Sequence, residues 1–480
     1  MTGLKSICIL AASLACLYGC VANDTGPINL ASSASPPPTP KFIADGGDDG
    51  STVVALSFSG GGMRASAFSY GVLTALDDIV VDEVPYRRSM VDNIRMISGV
   101  SGGSVVAAYF GYKGRDGYRD FDRRFLYQNP EASMRTSVMS PITLSRALTG
   151  GVNDRSTFAR WLDQNLFDEA DLSSFSWPNA PTVWINASDI YNRTPFLFTR
   201  DTFAALCSDL DKVRISDAVA ASAAFPVVFS PVVLQTKRTQ CNYEQPEWLT
   251  RALADPRNSI RLQAYAEALN AYQNRPDLNY VRLLDGGLTD NLGITGFVLE
   301  RAAADSPHGP LSAEEAVKLR HFIFVIADAG RGQTETWGQD KNNLSIGPLL
   351  KAVTATSMSA TLRDQIDALR QAVSIWRDQL IRYRCSLPLE KVRRIRGTTA
   401  GWNCRDINAI VEHLSFANLD PETRQDLNLI PTRLTLKTAQ VDRLVAAGRK
   451  VVAGNDRLTA AVANIRKHAG VTHRPIVSQR

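Results

Sequence analysis

The chain has few of the residues on which metal and redox sites depend. Its 480 residues include five histidines and seven cysteines, with no Cys-x-x-Cys or Cys/His grouping, so we expect no zinc site, no other metal and no cofactor. The net charge of +5 is small for this length, which argues against nucleic acid as a partner. The sequence also shows no internal repeat.

Long apolar runs are missing as well. No stretch approaches the roughly 18 uninterrupted apolar residues that a membrane-spanning helix needs. A shorter apolar stretch at residues 7–17 follows Lys5 and ends just before Cys20, which is the pattern of an export signal. We expect no segment of the chain to span a bilayer.

The sequence Leu17-Tyr18-Gly19-Cys20 resembles the lipobox of bacterial lipoproteins. The resemblance implies that residues 1–19 are a signal peptide and that Cys20 carries lipid. The mature protein would then be held at a membrane surface of the bacterial cell envelope, either on the periplasmic side of the outer membrane or at the cell surface. An ordinary secretory signal cleaved near Cys20 is the alternative.

Residues 20–50 are predicted to form a flexible tether, because residues 31–40 contain only alanine, serine, threonine and proline. Beyond residue 20, four cysteines remain, in two locally spaced pairs. They are Cys207 and Cys241, and Cys385 and Cys404. An exported protein permits a disulfide within each pair, but three pairings are possible and the sequence does not choose among them.

Residues 51–330 alternate between β-rich apolar runs and helix-length segments. The runs lie at residues 52–58, 94–98, 182–187, 281–284 and 322–327. Continuous apolar strands separated by helices predict a mostly parallel sheet that is covered on both faces. The fold class is therefore α/β, as a three-layer α/β/α sandwich.

Residues 331–480 are predicted to be a helical C-terminal region. One apolar seam follows a heptad-like spacing through Leu362, Ile366, Leu369, Val373, Trp376, Leu380 and Tyr383. A second runs through Val441, Leu444, Val445, Leu458, Val462 and Ile465. We expect these helices to pack on each other or on the sheet; an intermolecular coiled coil is the alternative, and the oligomeric state is not predicted.

A Gly-x-Ser-x-Gly motif stands at residues 99–103, between the predicted strand at 94–98 and a helix-like run at 104–110. A sharp turn from strand to helix exposes the serine hydroxyl, and the helix amino terminus favours an anion beside it. Gly99 and Gly103 relieve crowding on either side of the turn. We expect Ser101 to be a nucleophile; a glycine-rich turn without chemistry is the alternative.

A second motif, Gly60-Gly61-Gly62-Met63-Arg64, also follows a predicted strand and precedes a helix-like run. Consecutive glycines can turn their amides toward one point and form a cradle for a phosphate or an oxyanion. No Gly-Lys-Ser/Thr follows, which argues against a phosphate loop. We expect Gly60, Gly61 and Gly62 to form an oxyanion hole, with Arg64 either adding positive charge or tying down the loop; a purely structural salt bridge is the alternative for Arg64.

A nucleophilic serine needs a base, and none of the five histidines lies in a motif. Asp285 follows the predicted strand at 281–284 and precedes Gly286 and Gly287, which leave space beside its carboxylate. Catalytic groups in α/β proteins lie at the carboxyl ends of strands. We therefore expect Asp285 to be the base; a turn-forming aspartate is the alternative.

These three motifs, in this order, resemble those of the patatin-like phospholipases. The resemblance covers about residues 52–328 and includes the alanine-rich segment at 217–226. It implies a patatin-like catalytic domain at residues 51–330, a Ser101–Asp285 dyad, and an oxyanion hole at the triple glycine. The implied substrate is a lipid ester, cleaved in the manner of a phospholipase A or a lysophospholipase.

Two other functions compete with this hypothesis. A Ser-Asp-His esterase would use His308 or His321, although His321 stands at the start of a predicted strand, at the edge of the sheet away from Ser101. A non-catalytic lipoprotein scaffold with the same fold would need none of the three motifs.

Overall fold

The computed structural model describes residues 25–30, 42–43, 48–83, 87–134, 151–226, 228–236, 241–332, 341 and 346–469. The predicted signal peptide, with Cys20, and most of the predicted tether lie outside these ranges. Lipidation therefore stays a prediction. Within the described residues, none of the helices combines the length and the hydropathy that crossing a membrane requires.

Ten strands are found in the described residues. They are β1 (Thr52–Phe58), β2 (Val80–Asp82), β3 (Arg88–Ser89), β4 (Ile94–Val100), β5 (Thr182–Asp189), β6 (Thr194–Leu197), β7 (Val232–Gln235), β8 (Tyr280–Asp285), β9 (His321–Asp328) and β10 (Asn408–Ser415). Strands β2 and β3 pair with each other. The other eight form one sheet in the order β10-β9-β1-β4-β5-β8-β7, with β6 paired to β5.

Helices in the first two thirds of the chain are α1 (Gly62–Asp78), α2 (Gly102–Gly117), α3 (Phe158–Leu162), α4 (Arg200–Ala205), α5 (Ile215–Ser222), α6 (Glu247–Ala254), α7 (Ile260–Asn274), α8 (Thr295–Ala303) and α9 (Ala313–Lys318). Those that follow are α10 (Ile346–Cys385), α11 (Leu389–Arg396), α12 (Pro421–Leu429), α13 (Thr438–Ala453) and α14 (Asp456–Ala469).

The centre of the sheet is parallel, as the sequence predicts. Strand β1 pairs in parallel with both β4 and β9, and all seven of its residues are buried. Alternate side chains of β1 enter different cores: Val54 and Leu56 pack with helices on one face, and Val53 and Ala55 pack on the other. A strand that is buried on both faces needs apolar residues throughout, which explains the unbroken run.

Strand β8 corrects one part of the prediction, because it runs antiparallel to β5. Its last residue, Asp285, pairs with Ala187, while Asn186 of β5 pairs with Val100 at the end of β4. The two strands overlap only over the last residues of β5. Asp285 therefore lies near the carboxyl end of β4, although β8 runs antiparallel and not parallel to β5.

Helices cover both faces and give the three layers. One face carries α1, α2, α13 and α14, whose apolar side chains join a large core. The other carries α8, α9 and α10. On this second face Trp376 of α10 packs edge-on against Phe322 of β9, with ring centroids 4.9 Å apart.

The C-terminal region is more closely joined to the sheet than a separate helical region would be. Strand β10, which the sequence analysis missed, pairs in parallel with β9 along its whole length. The heptad-like seam of α10 packs on the sheet through Leu369, Val373 and Trp376, which are buried there. The seam is therefore covered within the chain itself.

Helix α13 lies directly on α1. A Cβ atom at Gly71 would clash with the Val445 carbonyl oxygen, and one at Gly448 would clash with the Phe68 carbonyl oxygen. Only glycine at both positions allows the two backbones to approach this closely. The helix that follows the triple glycine is thus fixed against the last part of the chain.

Both locally spaced cysteine pairs are disulfides in the structure. Cys207 joins Cys241, and Cys385 joins Cys404. Of the three pairings that the sequence leaves open, this is the one with the shortest loops.

Candidate active site

Ser101 occupies the sharp turn between β4 and α2. Its φ of 51° and ψ of −121° are unusual for a residue with a side chain, and such strain persists only where the surroundings enforce it. A Cβ atom at Gly103 would clash with the Phe58 carbonyl oxygen, and one at Gly99 would lie 2.5 Å from the Gly103 carbonyl oxygen. The two glycines therefore let the turn pack tightly between β1 and α2.

The main chain of Ser101 is held from outside its own motif. Its N–H donates to the Ser222 hydroxyl at 2.9 Å, and that hydroxyl donates to the Asn186 carbonyl at 2.6 Å. The Ser101 carbonyl accepts from the Ser104 hydroxyl at 2.6 Å. Since Ser222 takes up the Ser101 amide, this amide is not directed at a bound substrate.

The triple glycine has two residues with positive φ, Gly61 at 142° and Gly62 at 60°. The Gly60 amide donates to the Asn291 carbonyl at 3.0 Å, and the Met63 amide donates to the Arg433 carbonyl at 2.7 Å. For the amides of Gly61 and Gly62, no acceptor is found among the described residues. This corrects the expectation that Gly60 donates to an oxyanion and leaves Gly61 and Gly62 as candidates.

The Arg64 side chain is held by backbone carbonyls that lie outside its own motif. Its side chain is 3% exposed; Nε donates to the Ala329 carbonyl at 3.0 Å and Nη1 to the Ile430 carbonyl at 3.1 Å. Burial lowers the pKa of Arg64 to about 9; the nearby Arg331 also lowers it, and Asp328 opposes the change. Of the roles that the sequence leaves open for Arg64, these contacts favour tying down the loop, through two backbone carbonyls, over adding charge to an oxyanion hole.

Asp285 lies in a closed position and is 8% exposed. Its Oδ1 accepts from the Gly287 amide at 2.8 Å, and its own amide donates to the Ala224 carbonyl at 2.9 Å. Burial raises the pKa of Asp285 to about 6, against the opposing effects of the Gly287 amide and of a hydrogen bond with the Ser101 side chain. Near neutral pH the carboxylate is therefore ionised and close to its pKa, as a proton acceptor requires.

The three motifs meet at one place. A Cβ atom at Gly60 would lie 3.4 Å from the Cβ of Ser101, and one at Gly102 would clash with the Gly62 carbonyl oxygen. Gly286 lies against the Asn186 carbonyl and Val100. The amino termini of α1 and α2 thus adjoin Ser101, and their dipoles favour a negative charge there.

Histidines lie elsewhere in the described residues. His321 begins β9 and pairs with Thr52 at the start of β1, at the edge of the sheet away from Ser101. The His308 Nδ1 is 2.8 Å from the Leu311 carbonyl oxygen, and its ring packs on Tyr383. No histidine side chain in the described ranges is hydrogen-bonded to Ser101 or Asp285.

Within the part of the chain that the structure describes, no three His, Cys, Asp or Glu side chains are grouped so that they could hold a metal ion.

A model of the patatin-like phospholipase family matches residues 56–298. This span is just over half of the chain and includes all three motifs. The chain belongs to the patatin-like phospholipase family. No curated protein sequence matches the chain.

Among solved structures, human GIVD cytosolic phospholipase A2 is 13% identical, with a TM-score of 0.39 over 88% of this patatin-like chain and 63% of that one. Its complex with methyl gamma-linolenyl fluorophosphonate is 14% identical, with a TM-score of 0.39 over 88% and 60% of the two chains. The chain thus spans less than two thirds of these structures.

Three groups that position the site of this patatin-like chain were missed by sequence reasoning. Ser222 lies in the alanine-rich segment that resembles the family, so its place was indicated although its role was not. Asn291 and Arg433 act through their backbone carbonyls. A backbone carbonyl is present at every residue, so no side-chain pattern could have pointed to these two.

Proposed function

We propose that the chain hydrolyses carboxylic esters of lipids through a Ser101–Asp285 dyad. The observation that carries the proposal is the place of the Ser101 side chain beside Asp285, a buried carboxyl whose pKa is raised to about 6 by burial and which the serine side chain influences. A serine hydroxyl becomes a useful nucleophile when a base removes its proton during attack. Asp285 is the acceptor in contact with it.

In the first step, the Ser101 Oγ attacks the ester carbonyl carbon while its proton passes to Asp285. The carbonyl oxygen becomes an oxyanion, and the amides of Gly61 and Gly62 donate to it. The leaving alcohol takes the proton from Asp285, which leaves an acyl-enzyme. Water then attacks the acyl-enzyme with Asp285 as base, and the fatty acid is released with Ser101 restored.

Labelling with a fluorophosphonate probe tests the nucleophile directly, since the probe phosphonylates an activated serine. We expect labelling of the wild type and of Ser386→Ala, an exposed serine variant outside the site, and none of Ser101→Ala. Absence of labelling in folded wild-type protein would instead support the non-catalytic scaffold.

The esterase with a histidine makes a different prediction. His308→Ala and His321→Ala, each made separately, should keep acyl-enzyme formation if Asp285 alone serves as base. Loss of acyl-enzyme in either folded variant would contradict the dyad.

The substrate is proposed to be a phospholipid or a lysophospholipid, in keeping with the family. A panel of intact phospholipids, lysophospholipids and neutral glycerides, assayed with wild type and Ser101→Ala, tests this. Turnover of the neutral glycerides alone would contradict the phospholipid assignment.

Attachment to a membrane surface in the bacterial envelope through a lipidated Cys20 is a further part of the proposal, supported by the sequence Leu17-Tyr18-Gly19-Cys20. We expect the mature protein to carry acyl chains on Cys20 by mass spectrometry, and Cys20→Ala to leave the membrane fraction. A wild-type mature protein that carries no lipid would favour the ordinary secretory signal.

A further inference from the structure

A cavity lies at the amino-terminal ends of β1 and β9, away from the candidate active site. Its volume is about 310 Å³, near the lower end of the roughly 300–1,000 Å³ range of small-molecule sites. Thr52 and His321, which pair at the start of β1 and β9, are part of its wall. Ser101 lies just after β4, at the carboxyl ends of the parallel strands. The seven residues of β1 separate the two ends by about 20 Å, at roughly 3.3 Å per residue. The cavity is therefore separate from the candidate active site.

The wall of this cavity carries excess positive charge. Four cationic side chains and two carboxylates line it: Arg88, Lys318, Arg320 and Arg396, against Asp49 and Asp82. Four positive charges less two negative ones leave an excess of two. A cavity with low-dielectric walls and one dominant sign of charge concentrates ligands of the other sign.

Two of the cations are already paired. Arg88 contacts the Asp82 carboxylate at 2.6 Å, and Arg320 contacts Asp406 at 3.4 Å. These pairs hold the wall in place, and the other two cations of the wall are Lys318 and Arg396. Neither of these two has an ion pair with a carboxylate among the described residues.

Arg396 is held in an unfavourable setting for a guanidinium. Its Nη1 is buried and has no hydrogen-bond partner in the described part of the chain, although its guanidinium carbon lies 5.2 Å from the ring centroid of Trp402, which is a favourable cation–π contact. Burial lowers the pKa of Arg396, as does the nearby Arg320, against the opposing effect of Asp406. A bound anion would provide the missing acceptor and relieve the repulsion between the two arginines.

We propose that this cavity binds a phosphate ester, with the phosphate between Lys318 and Arg396. Arginine suits a phosphate because its planar fork can donate two parallel hydrogen bonds, and lysine adds a compact charge. Val81, Ile395 and Ile465 complete the wall and give an attached organic group an apolar surface. A small soluble phosphate ester and a phospholipid headgroup share this chemistry.

Binding is to be measured on the full chain carrying Ser101→Ala, so that phospholipid is not consumed and the result does not depend on the proposed function. The soluble probe is sn-glycerol 3-phosphate, by calorimetry, with glycerol as the uncharged control. The membrane probe is vesicles of phosphatidylglycerol in phosphatidylcholine, by cosedimentation, with phosphatidylcholine alone as the control.

Two variants remove the charges and one serves as the matched control. Lys318→Met and Arg396→Gln should each weaken binding about tenfold or more, the effect of losing one charged hydrogen bond. Arg393→Gln changes an exposed arginine of the same helix, α11, that does not line the cavity, and it should bind as well as the parent. Thermal melting monitored by circular dichroism checks that each variant is folded.

Binding of glycerol phosphate with this pattern would support a soluble ligand, and the same pattern on vesicles alone would support a headgroup. Failure of both probes to bind above their controls would overturn the proposal. So would equal weakening by Arg393→Gln, because binding would then follow the overall charge and not the cavity.

Discussion

The proposed nucleophile turn at residues 99–103 and the proposed oxyanion loop at residues 60–64 are similar in sequence character but are held in different ways. The turn is fixed by contacts with β1 and Ser222, all within the part of the chain that matches the family. The loop is fixed by the Asn291 carbonyl within that part and also by carbonyls of Ala329, Ile430 and Arg433 beyond it. A family motif can therefore depend for its geometry on residues that the family match does not include.

The contact at Arg433 shows how close this dependence is. The Met63 amide donates to the Arg433 carbonyl at 2.7 Å, and a Cβ atom at Gly62 would lie 2.5 Å from the same oxygen. This bond takes up one amide at the start of α1, next to the two that are left for substrate. The C-terminal region thus helps to determine which amides of the loop can bind an oxyanion.

The largest expected effect comes from breaking the oxyanion loop itself. Gly61→Val places a branched side chain at a φ of 142°, which a residue with a Cβ atom rarely adopts. Loss of one oxyanion donor typically costs about 10²–10³ in kcat, and we expect this loss on a soluble ester with folded protein. Gly26→Val is the control, because no atom lies within 4 Å of a Cβ there. Unchanged turnover in Gly61→Val would mean that the loop does not bind the oxyanion.

The second prediction uses pH to separate the two regions. The proposed reaction needs ionised Asp285, whose pKa is about 6, so kcat/KM should rise with pH and level off above about 6. At pH 4 only about 1% of the carboxyl is ionised, which predicts a loss of about a hundredfold. Gly61→Val should lower the plateau without moving the inflection, since it does not touch the base. An inflection near pH 4 would contradict the buried, raised carboxyl.

The Asp285 carboxyl also affects the stability of the fold. Activity should rise with pH, whereas this contribution to stability should fall with pH. Because folding raises the pKa of Asp285 from 3.8 to about 6, the native state is favoured when the group is protonated. Its contribution is fully present below pH 3.8 and is lost as the pH rises through about 6. Asp285→Asn should therefore unfold at higher denaturant concentration than wild type at pH 8, with the difference vanishing near pH 4. A variant that is less stable at pH 8 would contradict this.

A smaller effect is expected from loosening the loop at Arg64. Arg64→Met keeps the apolar stem but removes the donors to Ala329 and Ile430, which leaves two buried carbonyls without those hydrogen bonds. We expect about a tenfold loss of kcat with KM little changed, together with a stability loss of about 1–3 kcal/mol. Arg363→Met, which changes an exposed arginine on α10, should do neither. A loss of stability at full kcat would show that Arg64 holds the fold and not the loop.

The smallest effect tests the far side of the same contact. The Glu131 carboxylate forms an ion pair with Arg433 and accepts from the Leu434 amide at 2.8 Å. Glu131→Gln keeps an acceptor for that amide and removes the charge. Because the Arg433 side chain is largely exposed, we expect the free energy of unfolding to fall by at most about 1 kcal/mol. We expect kcat to change a few-fold. A loss as large as that of Gly61→Val would place Glu131 in the site itself.

The elements that build the core could be read from the sequence because burial on both faces leaves an unbroken apolar run. The predicted strand at 52–58 has the bounds of β1, and the run at 94–98 stops two residues before the end of β4. Strand β10 was missed because it lies at the edge of the sheet and carries Glu412 and His413, which pair with Arg457 and Asp328. Polar side chains with such partners hide a strand from a search for apolar runs.

The candidate site likewise has features that the sequence indicates and features that it does not. Ser101, Asp285 and the glycines were indicated by motifs, since each needs a special side chain or a missing one. The direction of β8 and the hydrogen bond that occupies the Gly60 amide were not indicated. Both depend on which segments become neighbours only after folding.

The close crossing of α1 and α13 at Gly71 and Gly448 bears on when the loop is completed during synthesis of the chain. The chain is made from its amino terminus, so the triple glycine leaves the ribosome long before residues 430–448, which hold it in place. For the proposed lipid hydrolase, the oxyanion loop would stay unfinished until residues 430–448 have emerged. Assembly of the catalyst would then wait for those later residues, and a shorter nascent fragment would carry the serine without a complete oxyanion loop.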